Sequence, residues 1–430
     1  MRGGEAALAK KHVARNFDPF AFSSYKLSGG LPVYYNLDLS FSAILVGAVF
    51  FSGSRDEPEE KAGLAHFMEH VPFRGTAVFP TKVALAAPIE NRGGAINAQT
   101  SHEQMVFYVN IVPEDLALGL KVLADIIFRA RIGKRDFEDE FSAVIDELGN
   151  NLSDPLYVTS EESKNRLFRG HPLGHSPLGT AKSLKALRLA DVRNFYESRI
   201  KNGSFALVVL GHANKRMVLE RLEATFGRVR PHAWLRQAVA FKQSEKEEVI
   251  LKNRPYPRTH LFLSSTSFSA ADGKNVIVAD VFETMLANGL SSPLFQALRE
   301  DKGLLYDYNF SCDSWSDAGI IWFSASAAMR NVRRIRRIFF ETVERVAVDK
   351  RRFALAKKMT VKAGRLKEWT SMDILEETAE YMAHAGKLPL LRNEEEARIA
   401  AVTHDDIRRF AETYLDKKRF LTLILKGQIE

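Results

Sequence analysis

The sequence predicts an α+β protein of two similar sandwich domains, each a mostly antiparallel sheet covered by helices, related by internal duplication. Three observations point to it. Sliding the chain on itself by 215 residues pairs Asp191, Arg193, Phe195 and Glu197 with Asp406, Arg408, Phe410 and Glu412, without a gap. At the same offset Phe205-Ala-Leu-Val-Val-Leu meets Phe420-Leu-Thr-Leu-Ile-Leu, so each half ends with a helix leading into a buried strand. Within each half, strand-like runs alternate with pairs of helical patterns, as expected for one sheet with helices laid on it.

The elements then follow in order. Residues 1–24 read as a flexible leader, basic at its start and without the apolar core of a secretory signal. The first domain, 25–228, opens with strands at 32–35 and 42–51. The second of these contains the longest strongly apolar run of the chain, far short of the ~20 residues a membrane helix needs. A helix is expected from about residue 61, a strand pair at 95–97 and 104–110, and a helix from Pro113 to about 129. Helices at 137–150 and 190–200 precede the closing strand 205–210. A polar, basic stretch, 229–248, links to the second domain, 249–430. There Ser292 before Pro293 is a helix start and Gly303 a stop.

Composition excludes several classes. At 430 residues and 46% hydrophobic the chain can bury large cores. Its single cysteine, Cys312, rules out an intrachain disulfide framework and is read as a small buried hydrophobe in a reducing compartment. A cytoplasmic location is expected, with the mitochondrial matrix as the alternative. The net charge of +8 allows nonspecific attraction to acidic partners. The densest basic run, Arg330 to Arg337, is interleaved with Val332 and Ile335, the solvated face of an amphipathic helix. No zinc-finger, recognition-helix or stacking-aromatic pattern accompanies it, so neither nucleic acid nor membrane is expected as a partner.

The most informative segment is Gly63-Leu-Ala-His66-Phe-Met-Glu69-His70, an H-x-x-E-H pattern in a helical stretch. Residues three and four apart share a helix face, so His66 and His70 can hold one Zn²⁺ while Glu69 points to the same place. Catalytic zinc takes three protein ligands and leaves a position for water, so a third ligand must come from elsewhere. In 136–150 the apolar residues Phe137, Phe141, Val144, Ile145 and Leu148 form one helical stripe. Glu140 and Glu147 lie two turns apart beside it, a costly place for an acid unless it is paired or metal-bound. Glu147 is taken as the third ligand. Glu140 is assigned to support a metal-bound histidine, whose second N–H needs an acceptor.

With His66, Glu69, His70 and Glu147 in place, the chain resembles the insulinase/pitrilysin family of metallopeptidases. The short two-domain branch, with the mitochondrial processing peptidase subunits and their bacterial relatives, is the most similar. Gly53-Ser-Arg55, Phe73-Arg-Gly75-Thr76, Gly93-Gly94-Ala-Ile-Asn97-Ala98 and His171-Pro-Leu-Gly174 agree with it. The resemblance implies a zinc endopeptidase with one Zn²⁺ per chain and Glu69 as general base, cleaving unfolded peptides or presequence-like segments in a closed chamber. It also implies a metal-free second half, in keeping with Val281, Met285 and Lys362 at the repeat positions of His66, His70 and Glu147.

The same resemblance makes Asn97 and Ala98 part of an edge strand along which substrate lies as an added strand. It casts Arg299 and Tyr306 as an Arg/Tyr pair that contacts substrate from the opposite half of the chamber. Full-length members supply that pair from a fourth domain, whereas this chain has two. A homodimer is therefore expected, each chain completing its partner's site, with a heterodimer or a non-catalytic core subunit as the alternatives. One departure stands at Val71-Pro72-Phe73, where proline should end the metal-binding helix just past His70.

Overall fold

A computed structural model describes residues 18–232, 236–241, 247–251 and 256–428. Its first half is built on a six-stranded sheet: β1 (Ser23–Lys26), β2 (Pro32–Asn36), β3 (Ile44–Phe50), β4 (Ala95–Thr100), β5 (Met105–Ile111) and β6 (Phe205–Leu210). The spatial order is β1-β2-β6-β3-β5-β4, antiparallel throughout except for the parallel pair β2–β6. Every residue of β3 is buried, because this central strand is covered on both faces; that is why its sequence is continuously apolar instead of alternating. Helices α1 (Leu64–His70), α2 (Lys82–Glu90), α3 (Leu116–Arg129), α4 (Lys134–Asn151), α5 (Pro155–Leu167), α6 (Ala181–Ala186), α7 (Leu189–Phe195) and α8 (Lys215–Phe226) complete this half. All but α5 contribute to one core around Phe50, Phe67, Phe107, Phe205 and Phe226.

The second half repeats the plan with β7 (Glu247–Leu251), β8 (Thr259–Ser267), β9 (Leu305–Ser314), β10 (Gly319–Ala327) and β11 (Leu421–Leu425). Its helices are α9 (Gly273–Leu286), α10 (Pro293–Phe295), α11 (Val332–Ala347), α12 (Lys350–Leu366), α13 (Ser371–Ala385), α14 (Arg392–Ala401) and α15 (His404–Tyr414). The strand order β7-β11-β8-β10-β9 is that of β2-β6-β3-β5-β4 moved by the 215-residue offset, parallel pair included. The same offset carries α4 onto α12, α5 onto α13 and α7 onto α15. The duplication read from a few identities is thus a property of the whole architecture.

The halves exchange one helix each. Helix α13 lies on β3 and β6 of the first sheet, and α5 lies on β8 and β11 of the second. Ile374, Leu375, Ala379 and Met382 thereby close a core with Leu45, Val49, Val208 and Leu210. Leu167, Phe168 and Leu173 do the same with Phe262, Leu421 and Leu423. Each large side chain buried this way contributes about 1.5–3 kcal/mol.

A buried ionic cluster joins the halves where the β4–β5 and β9–β10 hairpin tips meet, also related by the repeat. Arg55 pairs with Glu103 of the first tip, and donates from Nη2 to Asp317 Oδ2 of the second at 2.8 Å. Ser316 donates its N–H and hydroxyl to Glu103 at 3.0 and 2.6 Å, and Val239 donates its N–H to Asp317 at 2.8 Å. Burial would raise the Asp317 carboxyl, but the His171 imidazole 3.5 Å away and the hydrogen bonds from Arg55 hold it well below the usual carboxylate range.

Some boundaries differ from the sequence reading. Residues 1–17 of the expected leader, and 233–235 and 242–246 of the expected linker, lie outside the described residues. Residues 18–24 are not loose: Phe20 is buried edge-on to Trp369 at 5.0 Å, and Asp18 accepts the Arg392 N–H at 2.8 Å. Strand β7 begins at Glu247, inside the expected linker, because it pairs in parallel with β11. Helix α1 starts at Leu64 instead of near 61, since Gly63 takes φ +98° and interrupts the backbone. It ends at His70, with Val71–Arg74 continuing as a 3₁₀ turn around Pro72, as the proline requires. Among the described residues no helix is long and apolar enough to cross a membrane.

Candidate metal centre

Helix α1 buries Leu64, Ala65, Phe67 and Met68 against β4, β5 and α7, which turns His70 toward α4. His66, though buried, shares that face. The two imidazoles stand edge to face with centroids 4.8 Å apart. One ligand atom from each of His66, Glu69 and His70 falls within 4.8 Å of the others.

Helix α4 brings the acids. Glu147 Oε2 lies 3.2 Å from His66 Nε2 and 3.6 Å from His70 Nε2. Two turns back, Glu140 Oε2 lies 3.4 Å from His70 Nδ1, and Arg74 Nη1 donates to Glu140 Oε1 at 3.3 Å. Glu69 Oε2 is 3.4 Å from His66 Nδ1. The apolar stripe of α4 packs into the first core through Val144 and Leu148, with Phe137, Phe141 and Ile145 at its margin. Glu140 is consequently buried and Glu147 half-buried.

The electrostatics follow from that crowding. Burial alone would lower the His66 pKa, but the Glu147 and Glu69 carboxylates outweigh it and push the imidazole up to about 9. The hydrogen bond with His66 lowers Glu147 against the opposing effect of burial. Burial would raise Glu140, yet His70 and Arg74 bring it down. Negative charge is thus concentrated where two imidazole nitrogens converge, so the place favours a cation.

The donor set fits zinc. Around a tetrahedral ion with bonds of about 2.0–2.1 Å, neighbouring ligand atoms sit about 3.3–3.4 Å apart. The 3.2 and 3.6 Å separations from Glu147 Oε2 to the two Nε2 atoms straddle that value. His70 has its far nitrogen on a carboxylate, the arrangement that orients a metal-bound histidine.

The other expected site residues are distributed differently. Asn97 is exposed and Ala98 buried on β4, the outermost strand of its sheet, which runs beside α1. Asn97 Oδ1 accepts the Ala98 N–H at 2.9 Å. Arg299 lies on a π-helical turn, Gln296–Glu300, and lines a cleft of about 450 Å³ walled by residues between 283 and 310. None of those wall residues comes from the first half. Tyr306 is placed on β9, and its side chain lies outside what the structure describes. Within one chain, therefore, His66, Glu69, His70, Glu140 and Glu147 come together, while Arg299 lines a cleft of the second half.

Two contributors escaped the sequence reading. Arg74, four residues beyond His70, clasps Glu140 and Asp139. Glu57 accepts N–H groups at the start of α1. The spacing from His70 to Arg74 was a usable signal for the first; the second follows from a loop excursion with no periodicity to read.

Residues 39–181 match the family model described as Insulinase (Peptidase family M16), and residues 186–359 match the one described as Peptidase M16 inactive domain. An uncharacterized zinc protease of Streptomyces coelicolor is 26% identical over 416 residues, covering 93% of this chain and 88% of that one. The uncharacterized zinc protease YmxG of Bacillus subtilis is 24% identical over 370 residues, covering 85% and 88%. A protease structure from Helicobacter pylori superposes with a TM-score of 0.83 at 19% identity, covering 94% of this chain and 99% of its own. A peptidase M16 inactive domain from Pseudomonas fluorescens gives 0.82 at 14% identity, covering 95% and 99%. At these identities the two structural likenesses bear on the fold.

Proposed function

Because the chain belongs to the insulinase family of peptidases, in its two-domain branch, we propose that it is a zinc-dependent endopeptidase of the inverted H-x-x-E-H type. The observation that carries this reading is the convergence of His66 Nε2 and His70 Nε2 on one oxygen of Glu147, with Glu69 alongside.

His66, His70 and Glu147 would hold the ion. When bound, zinc supplies a Lewis acid that acidifies water and polarises a peptide carbonyl. Glu69 takes a proton from the attacking water and passes it to the amine as the C–N bond breaks. Glu140, backed by Arg74, fixes the His70 ring. The outer edge of β4 pairs with substrate backbone near Asn97 and Ala98, which tolerates many side chains.

The substrates in this reading are unfolded, basic, presequence-like peptides. What supports it is an acidic wall that begins beside β4, where Gln99 donates to Glu376 at 2.7 Å. It continues through Glu377 and Glu380 on α13 toward Asp280 and Glu283 on α9. The surrounding protein wall and neighbouring carboxylates push Asp280, whose surface is still exposed, and half-buried Glu283 each up to about 7, so a cationic partner would relieve them. A cavity of about 820 Å³ between the halves adjoins this wall, where Glu380 and Asp313 share the lining with Lys274, Lys387 and Arg398.

Arg299 and Tyr306 would serve the metal centre of a second copy, giving a homodimer with two equal sites. The lone Cys312 suits a cytoplasmic setting. The test is zinc analysis of the purified chain together with hydrolysis of quenched peptides carrying arginine or glutamate. One zinc per chain and chelator-sensitive cleavage favouring arginine are expected. Cleavage indifferent to chelator would end the proposal.

A further inference from the structure

Helix α1 has seven residues, too short to be stable by itself, yet it carries both histidines and Glu69. Its first turn needs acceptors for free N–H groups, and the residue at the capping position provides none. No capping side chain fits there. A Cβ on Gly63 would lie 2.7 Å from Leu184 Cδ2 and 2.9 Å from the Leu178 carbonyl oxygen, at a φ of +98°.

The acceptors come instead from Glu57, buried in the loop ahead of the helix. Its Oε1 accepts the Gly63 N–H at 2.8 Å and its Oε2 accepts the Ala65 N–H at 2.7 Å. Burial pushes this carboxyl up to about 8, against the pull of the Ala65, Gly63 and Leu64 amides. Each oxygen of the carboxyl is thus committed to one amide of the turn. The loop itself is held: Ser54 and Arg55 donate their N–H groups to the Ser101 and His102 carbonyls at 3.0 Å, and the Arg55 side chain sits in the ionic cluster.

We propose that Glu57 is a positioning residue of the metal centre, closing the first turn of α1 and thereby fixing His66 and Glu69 for zinc. His66 is the third residue of the helix, one step beyond the Ala65 amide that Glu57 holds. Without that acceptor the first turn frays and His66 leaves its line with Glu147. His70, at the other end of α1 and braced by Glu140, stays.

The proposal rests on the zinc reading of His66, His70 and Glu147, and the test separates the two. In the full chain, Glu57→Gln keeps the shape but puts a donor in place of one acceptor, while Glu57→Asp keeps the carboxyl but falls short of both amides. Zinc affinity, by competition with a chromophoric chelator, should weaken about tenfold or more in each. The visible bands of the cobalt-substituted protein should shift, with the melting midpoint of the metal-free chain moving only a few degrees. If one variant fails to fold, the other decides, and slow hydrogen exchange of the 60–70 peptide in the metal-free wild type should report the closed turn. Affinity within twofold of wild type and unchanged cobalt bands would overturn the role of Glu57 alone. A wild-type chain that takes up no zinc would overturn the centre itself.

Discussion

Glu140 stands behind His70, its Oε2 3.4 Å from Nδ1, while the opposite ring nitrogen faces Glu147 Oε2 at 3.6 Å. One helix thus grips one imidazole from both sides, because Glu140 and Glu147 are separated by two turns of α4. Glu140→Gln should leave the ligand set intact but weaken zinc binding by about 10–100-fold. Equilibrium competition against a chelator measures this directly.

Glu69→Gln separates the base from the ligands. Zinc content should stay near one per chain, while turnover of a quenched peptide falls by about 10²–10⁴-fold. His66→Ala and His70→Ala should instead lose the metal, as read by elemental analysis.

Mixing two inactive chains tests the shared site. If Arg299 completes the partner's centre, Arg299→Ala combined with Glu69→Gln restores one working site in each mixed dimer. Random exchange then gives about a quarter of wild-type activity. Mixtures no more active than the separate variants would count against a site shared in this way.

Much of this architecture was legible because its signals are local or repeated. The H-x-x-E-H spacing is fixed by one helical turn, and the ungapped 215-residue offset between Asp191 and Asp406 carried the duplication. What could not be read is which surface each amphipathic face meets. The apolar side of α13 announces burial, but nothing local says that Leu375 will land on β3 of the other half. Arg55, Glu103 and Asp317 are likewise far apart along the chain and share no period. The placement of Glu57 depends on the path of a loop.

The Asp317 contact makes acid stability a measurable property. Its folded-state pKa is depressed, so its contribution is full above the unfolded value of ~3.9 and drains away as pH falls below it. Asp317→Asn should cost about 3 kcal/mol near neutral pH, by leaving Arg55 short of a buried partner, and should flatten the acid limb. Urea midpoints between pH 3 and 7 test both effects.

Leu375 fills the space that Gly47 leaves open. A Cβ on Gly47 would come within 2.5 Å of Leu375 Cδ1, so the two positions are mutually fitted. Leu375→Ala should cost about 3 kcal/mol by opening a cavity between α13 and the first sheet, as read by chemical denaturation.

The reciprocal loan of α5 and α13 means that neither half owns all the material that keeps its sheet dry. A cut in the stretch near Arg236 would therefore leave two pieces still clasped, and a gene shortened to the metal-bearing portion would make a protein with a bare, sticky back. The portion that carries the two histidines and its twin are in this sense a single heritable object, which selection could reshape at the surface but could not easily divide.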